Sequence, residues 1–239
     1  MRLPPIGHRL KAIVPFVRES TRIADIGTDH AYLPAYLLLT GRIRHAIAAD
    51  IAVGPLQKAA ATVAAYGLSA DQIELRQSDG LSAICPDETD DIILAGMGGD
   101  LIVDILAAAP WLRDSQKRMV LQPMTRAPVV RRFLYTAGFA IREERAVREG
   151  GRLYTVLLAQ YDGIEKNQPD TYFYTGELPT SPDEAACAYV RRELRLLRDR
   201  LGGLQSAASP DEDLQKETAK LCRIMEELQA VLHKMEETI

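Results

Sequence analysis

Cysteine and histidine are scarce in this chain of 239 residues. Its three cysteines, Cys85, Cys187 and Cys222, are far apart and odd in number, which excludes a disulfide framework and a zinc spacing. The four histidines are scattered and add no metal motif, so no metal is expected. This usage fits a reducing, cytoplasmic setting. No apolar run is long enough to span a membrane. The opening Met1-Arg2-Leu3-Pro4-Pro5 lacks the long apolar stretch of a signal peptide. The glycine pattern that cradles a dinucleotide is also missing. Where that pattern places glycines, this chain has Asp29 and Ala31.

What is present supports a sizeable core, with 47% apolar residues. The length allows one α/β domain with an appendage, or two small domains. The formal net charge is −4, which by itself argues against nucleic acid. The charge is unevenly spread, however, at +4 over residues 1–22, −8 over 23–112 and +6 over 113–152. Two basic segments flanking an acidic one could border a cleft and follow phosphates, with Arg9 and Lys11 as candidates, or could be solvated faces.

The apolar pattern predicts a lead-in helix over 4–18 and strands near 23–26, 45–49, 72–76, 91–95, 118–122, 139–147 and 153–160. Helices are predicted at 33–40, 54–66, 99–108 and 126–137. Such alternation implies an α/β, Rossmann-like parallel sheet with helices on both faces. Only Glu149-Gly150-Gly151 joins the last two strands, which predicts an antiparallel hairpin at the end of the sheet. Seven strands ending this way is the class I methyltransferase arrangement. The expected division is a sheet domain over 1–160, followed by a linker over 161–180 and two helices to residue 239. Ser181-Pro182-Asp183-Glu184 and Ser209-Pro210-Asp211-Glu212 read as their capping boxes. Val190, Leu194, Leu197, Leu201 and Leu204 repeat in steps of four and three, as do Leu214, Leu221, Met225, Leu228, Leu232 and Met235. With Gly202-Gly203 at the turn, they predict an antiparallel coiled-coil hairpin. It serves as a packing or dimerisation arm, or as a substrate grip. A monomer is the expectation.

The candidate chemistry gathers at strand ends. Asp25 and Gly27 follow the first apolar run, and Gly27 allows backbone N–H groups to approach a ligand. Asp50, with Ile51 after it, closes the second strand, where an acid can accept ribose hydroxyls. Asp79 could accept an adenine amino group, and Gly80 permits a tight turn. Gly96, Met97 and Gly98 follow the fourth strand at the topological switch point. An Asp beside a diphosphate would repel it. A cofactor without phosphates, such as S-adenosylmethionine, tolerates Asp29 and can use it for its amino group. Asp29 could otherwise face the reacting base. Tyr32 could stack on a base, and His30 and Tyr32 could equally be satisfied helix-start residues. Gln122 could hydrogen-bond a base beside Pro123, or the pair could simply end a strand.

These motifs resemble the TrmK family of bacterial tRNA (adenine-22-N1)-methyltransferases. The resemblance lies in Ala24-Asp-Ile-Gly-Thr-Asp-His-Ala-Tyr-Leu-Pro34, Ala46-Ile-Ala-Ala-Asp50 with Gly54-Pro55, and Asp79-Gly80-Leu81. Ala95-Gly-Met-Gly-Gly99 with Leu101-Ile102 and Leu121-Gln-Pro123 complete it, so that it spans roughly residues 3–160. Asp50 departs from the Glu that relatives commonly carry; the shorter acid can still bind ribose. The resemblance implies methyl transfer from S-adenosylmethionine to N1 of a D-loop adenosine in tRNA, releasing S-adenosylhomocysteine. Asp29 is then the candidate catalytic residue. An NAD-dependent oxidoreductase would need the diphosphate turn that Asp29 contradicts. A non-catalytic RNA-binding scaffold would not need acids at 25, 50 and 79. A small-molecule or protein methyltransferase would not call for the basic segments.

Overall fold

The computed structural model describes residues 2–165, 167–206 and 212–239. The chain divides into two compact units, residues 1–167 and 168–239.

The first unit is a seven-stranded sheet ordered β3-β2-β1-β4-β5-β7-β6. Its strands are β1 (Thr21–Ile26), β2 (Ile43–Asp50), β3 (Ile73–Gln77), β4 (Asp91–Gly98), β5 (Arg118–Thr125), β6 (Phe139–Glu149) and β7 (Arg152–Tyr161). Its helices are α1 (His8–Lys11), α2 (Tyr32–Leu39), α3 (Val53–Ala65), α4 (Gly99–Ala107) and α5 (Ala127–Thr136). The first five strands are parallel, and β7 runs antiparallel between β5 and β6. Ile23, Ala24, Ile92, Ile93, Leu94, Val120 and Leu121 are fully buried. Such continuous apolar runs are what a parallel sheet covered on both faces requires. The chain runs outward from β1 to β3 on one side and from β4 to β5 on the other. The carboxyl ends of β1 and β4 therefore border the crevice where ligands bind in open α/β sheets.

Each predicted strand and sheet helix is present, with ends shifted by a few residues. The lead-in helix is much shorter than the apolar spacing suggested. It ends at Lys11 and gives way to a 3-10 turn over Val14–Phe16, because Pro15 has no N–H to continue the ladder. Ile13, Phe16 and Val17 still pack into the core with Leu33 and Leu37 of α2. Gly150 and Gly151 both have positive φ, 55° and 75°, as a two-residue hairpin turn demands. Across the hairpin, the fully buried Arg131 of α5 meets Glu144 of β6 at 2.6 Å, and Thr155 of β7 donates its hydroxyl to the same carboxylate.

The second unit contains α6 (Tyr172–Thr175), α7 (Glu184–Gln205) and α8 (Glu212–Thr238). Arg191 pairs with Glu236 and Arg200 with Glu217, which makes α7 and α8 antiparallel. Val190, Leu194 and Leu197 face a seam that includes Leu221, Leu228, Leu232 and Met235. In that seam Ile224 is buried where Met225 was expected, and Met225 is only half-buried. Three further expectations change. Residues 172–180 are ordered as α6 and a 3-10 turn, with Phe173 and Leu178 buried, so this stretch is no extended linker. Asp183, not Ser181, caps α7, accepting the Ala186 amide at 2.7 Å. Helix α7 also runs through Gly202-Gly203 to Gln205, since its ladder outweighs the entropic cost of two glycines. Residues 209–211 of the second capping box lie outside the described residues.

Candidate active site

Beyond β1 the chain turns sharply into α2. The Gly27 and Thr28 amides both donate to the Ala49 carbonyl, at 2.8 and 3.1 Å, which pins the turn to β2. Thr28 Oγ1 accepts the Ala31 amide at 3.1 Å, and Ala31 is left-handed with φ 52°. Gly27 is required for a reason other than the expected one. Its amide is spent on Ala49, and its φ of 77° lies in the left-handed region that a side chain disfavours, with the flexible Met97 methyl packed over it. The turn closes one side of a cleft of about 300 Å³ at the β1–β4 switch point. Asp25, Gly27, Asp29, His30, Tyr32, Gly96 and Arg9, all singled out in the sequence, line it together.

Two acids four residues apart have opposite electrostatic settings. Asp25 is buried, and burial pushes its carboxyl up to about 7, against a hydrogen bond with Thr28 that lowers it. Asp29 is largely exposed. The hydrogen bond from Lys58 Nζ at 2.9 Å is the main reason its carboxyl sits below the usual range, with His30 nearby at 3.1 Å adding to it. The His30 and Tyr32 rings stack with centroids 5.0 Å apart and planes 6° from parallel.

The opposite wall depends on contacts that cross the whole sequence. Arg9 Nη1 donates to Gln122 Oε1 at 2.5 Å, and that oxygen also accepts the Gly96 amide at 3.1 Å. Glu149 accepts the Arg9 amide at 3.0 Å and lies 3.6 Å from Arg9 Nε. The Arg9 guanidinium sits 6.0 Å from the centre of the Tyr154 ring. Gln122 is fully buried, and its Nε2 donates to the Pro123 carbonyl at 3.0 Å. Both ends of its amide are therefore committed. Gln122 and the buried Pro123 do not face the cleft as the base-contacting reading expected. Gln122 holds Arg9 and Gly96 in place. Lys11 is exposed at the end of α1 and is not among the cleft-lining residues.

Asp50 and Asp79 lie farther along the same sheet edge. Asp50 Oδ1 accepts the Ala52 amide at 2.8 Å, and Ile51 beside it is 61% exposed. Asp79 is exposed after β3, followed by Gly80 with φ 53°. Met97 packs toward Gly27, and Gly98 caps α4. Thr28, Lys58, Glu149 and Tyr154 take part without having been anticipated. Thr28 sat inside the quoted motif, whereas nothing local marks Lys58 as the partner of Asp29.

The basic segments are less free than their composition suggested. Arg18 pairs with Asp91, Arg22 with Asp90 and Arg131 with Glu144. These cations hold strand ends and the hairpin together. Among the described residues no group of His, Cys, Asp or Glu is arranged to hold a metal, and no helix is long and apolar enough to cross a membrane.

A seven-stranded sheet whose order reverses at the paired strands β1 and β4 and ends in an antiparallel hairpin, with acids at the ends of three strands, is a Rossmann-like methyltransferase fold. Residues 6–157 match the sequence family described as a methyltransferase domain. A tRNA (adenine(22)-N(1))-methyltransferase of Bacillus subtilis is 39% identical over 166 residues, covering 66% of this chain and 69% of that protein. The crystal structure of the B. subtilis m1A22 tRNA methyltransferase TrmK superposes with a TM-score of 0.83 at 31% identity, covering 96% of this chain and 99% of that one. The Streptococcus pneumoniae protein Sp1610, solved with S-adenosyl-L-methionine, gives 0.81 at 30% identity, covering 96% and 100%. The chain belongs to the TrmK family of methyltransferases.

Proposed function

We propose that this protein methylates N1 of adenosine 22 in the D-loop of tRNA, using S-adenosylmethionine. The observation that supports this most is the family membership joined to one cleft holding Asp25, Asp29 and Arg9. The donor set fits the cofactor. Acids at 25, 29, 50 and 79 suit an ammonium, a ribose and an amino group, and the ionised Asp29 would repel a diphosphate. Asp25 and Asp29 would hold the amino-acid end, with His30 beside them. Asp50 and Ile51 would take the ribose, and Asp79 and Gly80 the adenine, while Gly27 and Gly96–Gly98 shape the floor. When bound, the cofactor supplies an electrophilic methyl group on a sulfonium.

The chain's own task is then positioning. N1 lies on the Watson–Crick edge, so the adenine must be unpaired or flipped into the cleft. Neutral N1 carries a lone pair, and no strong general base is needed. Asp29, kept ionised by Lys58 across the physiological range, would stabilise the positive charge that develops on the base. Tyr32 would offer a stacking surface. Arg9, buttressed by Glu149 and Gln122, would present a fixed cation to the substrate, and Lys11 would meet the RNA backbone outside the cleft. The protein acts as a cytoplasmic monomer on this reading, and the α7–α8 hairpin grips RNA or docks a partner.

The test is methyl transfer from labelled S-adenosylmethionine to unmodified tRNA transcripts, with mass spectrometry of the digested product. The expected result is 1-methyladenosine at position 22, lost when that adenosine is replaced by guanosine. Label on no RNA, despite cofactor binding, would remove the substrate from the proposal. Normal turnover and normal cofactor affinity in Asp29→Ala would remove both roles given to that residue.

A further inference from the structure

A second depression opens beside the methyl-transfer cleft and shares His30 and Tyr32 with it. Its volume, about 680 Å³, lies within the range of small-ligand sites. Arg2 and Lys58 are among its lining residues, and Lys58 Nζ, half-exposed, also donates to Asp29 at 2.9 Å. Tyr66, just after α3, also lines it and donates its hydroxyl to the Leu3 carbonyl at 3.4 Å. Exposed Ala61 forms part of the floor on the same helix face as Lys58.

Two cations, the rings of His30, Tyr32 and Tyr66, and lining shared with the cleft suit a run of single-stranded nucleic acid. Stacking surfaces take bases and cations take phosphates. We propose that this groove seats a nucleotide adjoining the target adenosine, its base against the tyrosines and its phosphate toward Arg2 and Lys58. The inference rests on the tRNA-methylating reading and adds the path of the strand. A flipped adenine leaves its neighbours unstacked, and a groove continuous with the cleft recovers part of that cost. The stacked His30 and Tyr32 rings line both seats.

The test uses the full chain carrying Ala61→Lys or Ala61→Glu, with unmodified tRNA transcripts as the probe. Both substitutions suit an exposed helix position, so their folding costs are alike. Affinity is read by filter binding, turnover as kcat and KM, and cofactor binding by titration with S-adenosylhomocysteine. The lysine variant is expected to bind tRNA more tightly than wild type and the glutamate variant more weakly. The spread should be about threefold to tenfold at about 50 mM salt and shrink at higher salt. KM should follow this order, with kcat and S-adenosylhomocysteine affinity unchanged. Equal tRNA affinity of the two variants, in a protein that methylates tRNA normally, overturns the groove and leaves the activity standing. A shift in S-adenosylhomocysteine affinity instead would give the groove to the cofactor and overturn the proposal. Wild-type protein that neither binds nor methylates tRNA would bring down both readings, and is told apart because the unsubstituted chain itself fails.

Discussion

Gly99 in the sheet unit and Gly202 in the helical unit are the same residue under opposite constraints. A Cβ on Gly99 would stand 2.6 Å from the Arg126 carbonyl and 2.8 Å from that of Thr125. A Cβ on Gly202 would meet nothing within 4 Å. At the sheet edge, backbone crowds backbone, and the left-handed residues Ala31 and Arg126 each sit just before a helix. In α7 and α8, long regular helices carry a repeating apolar seam, and glycine only weakens them. Local rules are strained more at this crowded edge than along the helical seam.

The largest expected effect concerns the sheet edge. Asp25 carries its proton in the fold up to about pH 7 and loses it in the unfolded chain near its ordinary value of 3.8. Its contribution to stability is therefore full below that lower value and disappears as pH rises toward 7. The loss is on the order of 4 kcal/mol. Urea unfolding of ligand-free wild type and Asp25→Asn between about pH 4 and 8 should show the variant gaining relative stability as pH rises. A constant difference would contradict the buried carboxyl. Next comes the helical seam, where Leu228→Ala should cost about 3 kcal/mol while S-adenosylhomocysteine affinity stays normal. Loss of that affinity would blur the contrast between the units. Gly99→Ala should destabilise the sheet unit by about 2 kcal/mol and weaken cofactor binding, read by thermal shift and titration. Smallest and opposite in sign, Gly202→Ala should stabilise the helical unit by about 1 kcal/mol in chemical denaturation. Equal signs for the two glycine substitutions would dissolve the comparison.

The strands were legible because a doubly covered parallel sheet writes itself as apolar runs, and the cleft because Asp25 to Tyr32 are contiguous. What escaped was set by contacts distant in sequence. Arg9 could be read as a cation, but not as one fixed by Gln122 and Glu149. The same contact turned Gln122 from a base-facing candidate into a buried brace. In the helical unit, Asp183 displaced Ser181 as the cap because two residues of the same chemistry competed within one turn. The shift from Met225 to Ile224 reflects the helical phase, which adjacent apolar residues leave open.

The position of β7 between β5 and β6 has a consequence for synthesis on the ribosome. Because β6 reaches the sheet only through β7, it has no seat until residues 152–161 have emerged. Until then Glu144 lacks Thr155, and Glu149, the anchor of Arg9, is not fixed. The wall of the cleft supplied by Arg9 is completed only when β7 seats the β6 end that carries Glu149. Until then a nascent chain would carry Asp25, Asp29, Asp50 and Asp79 with Arg9 held by Gln122 and not yet by Glu149.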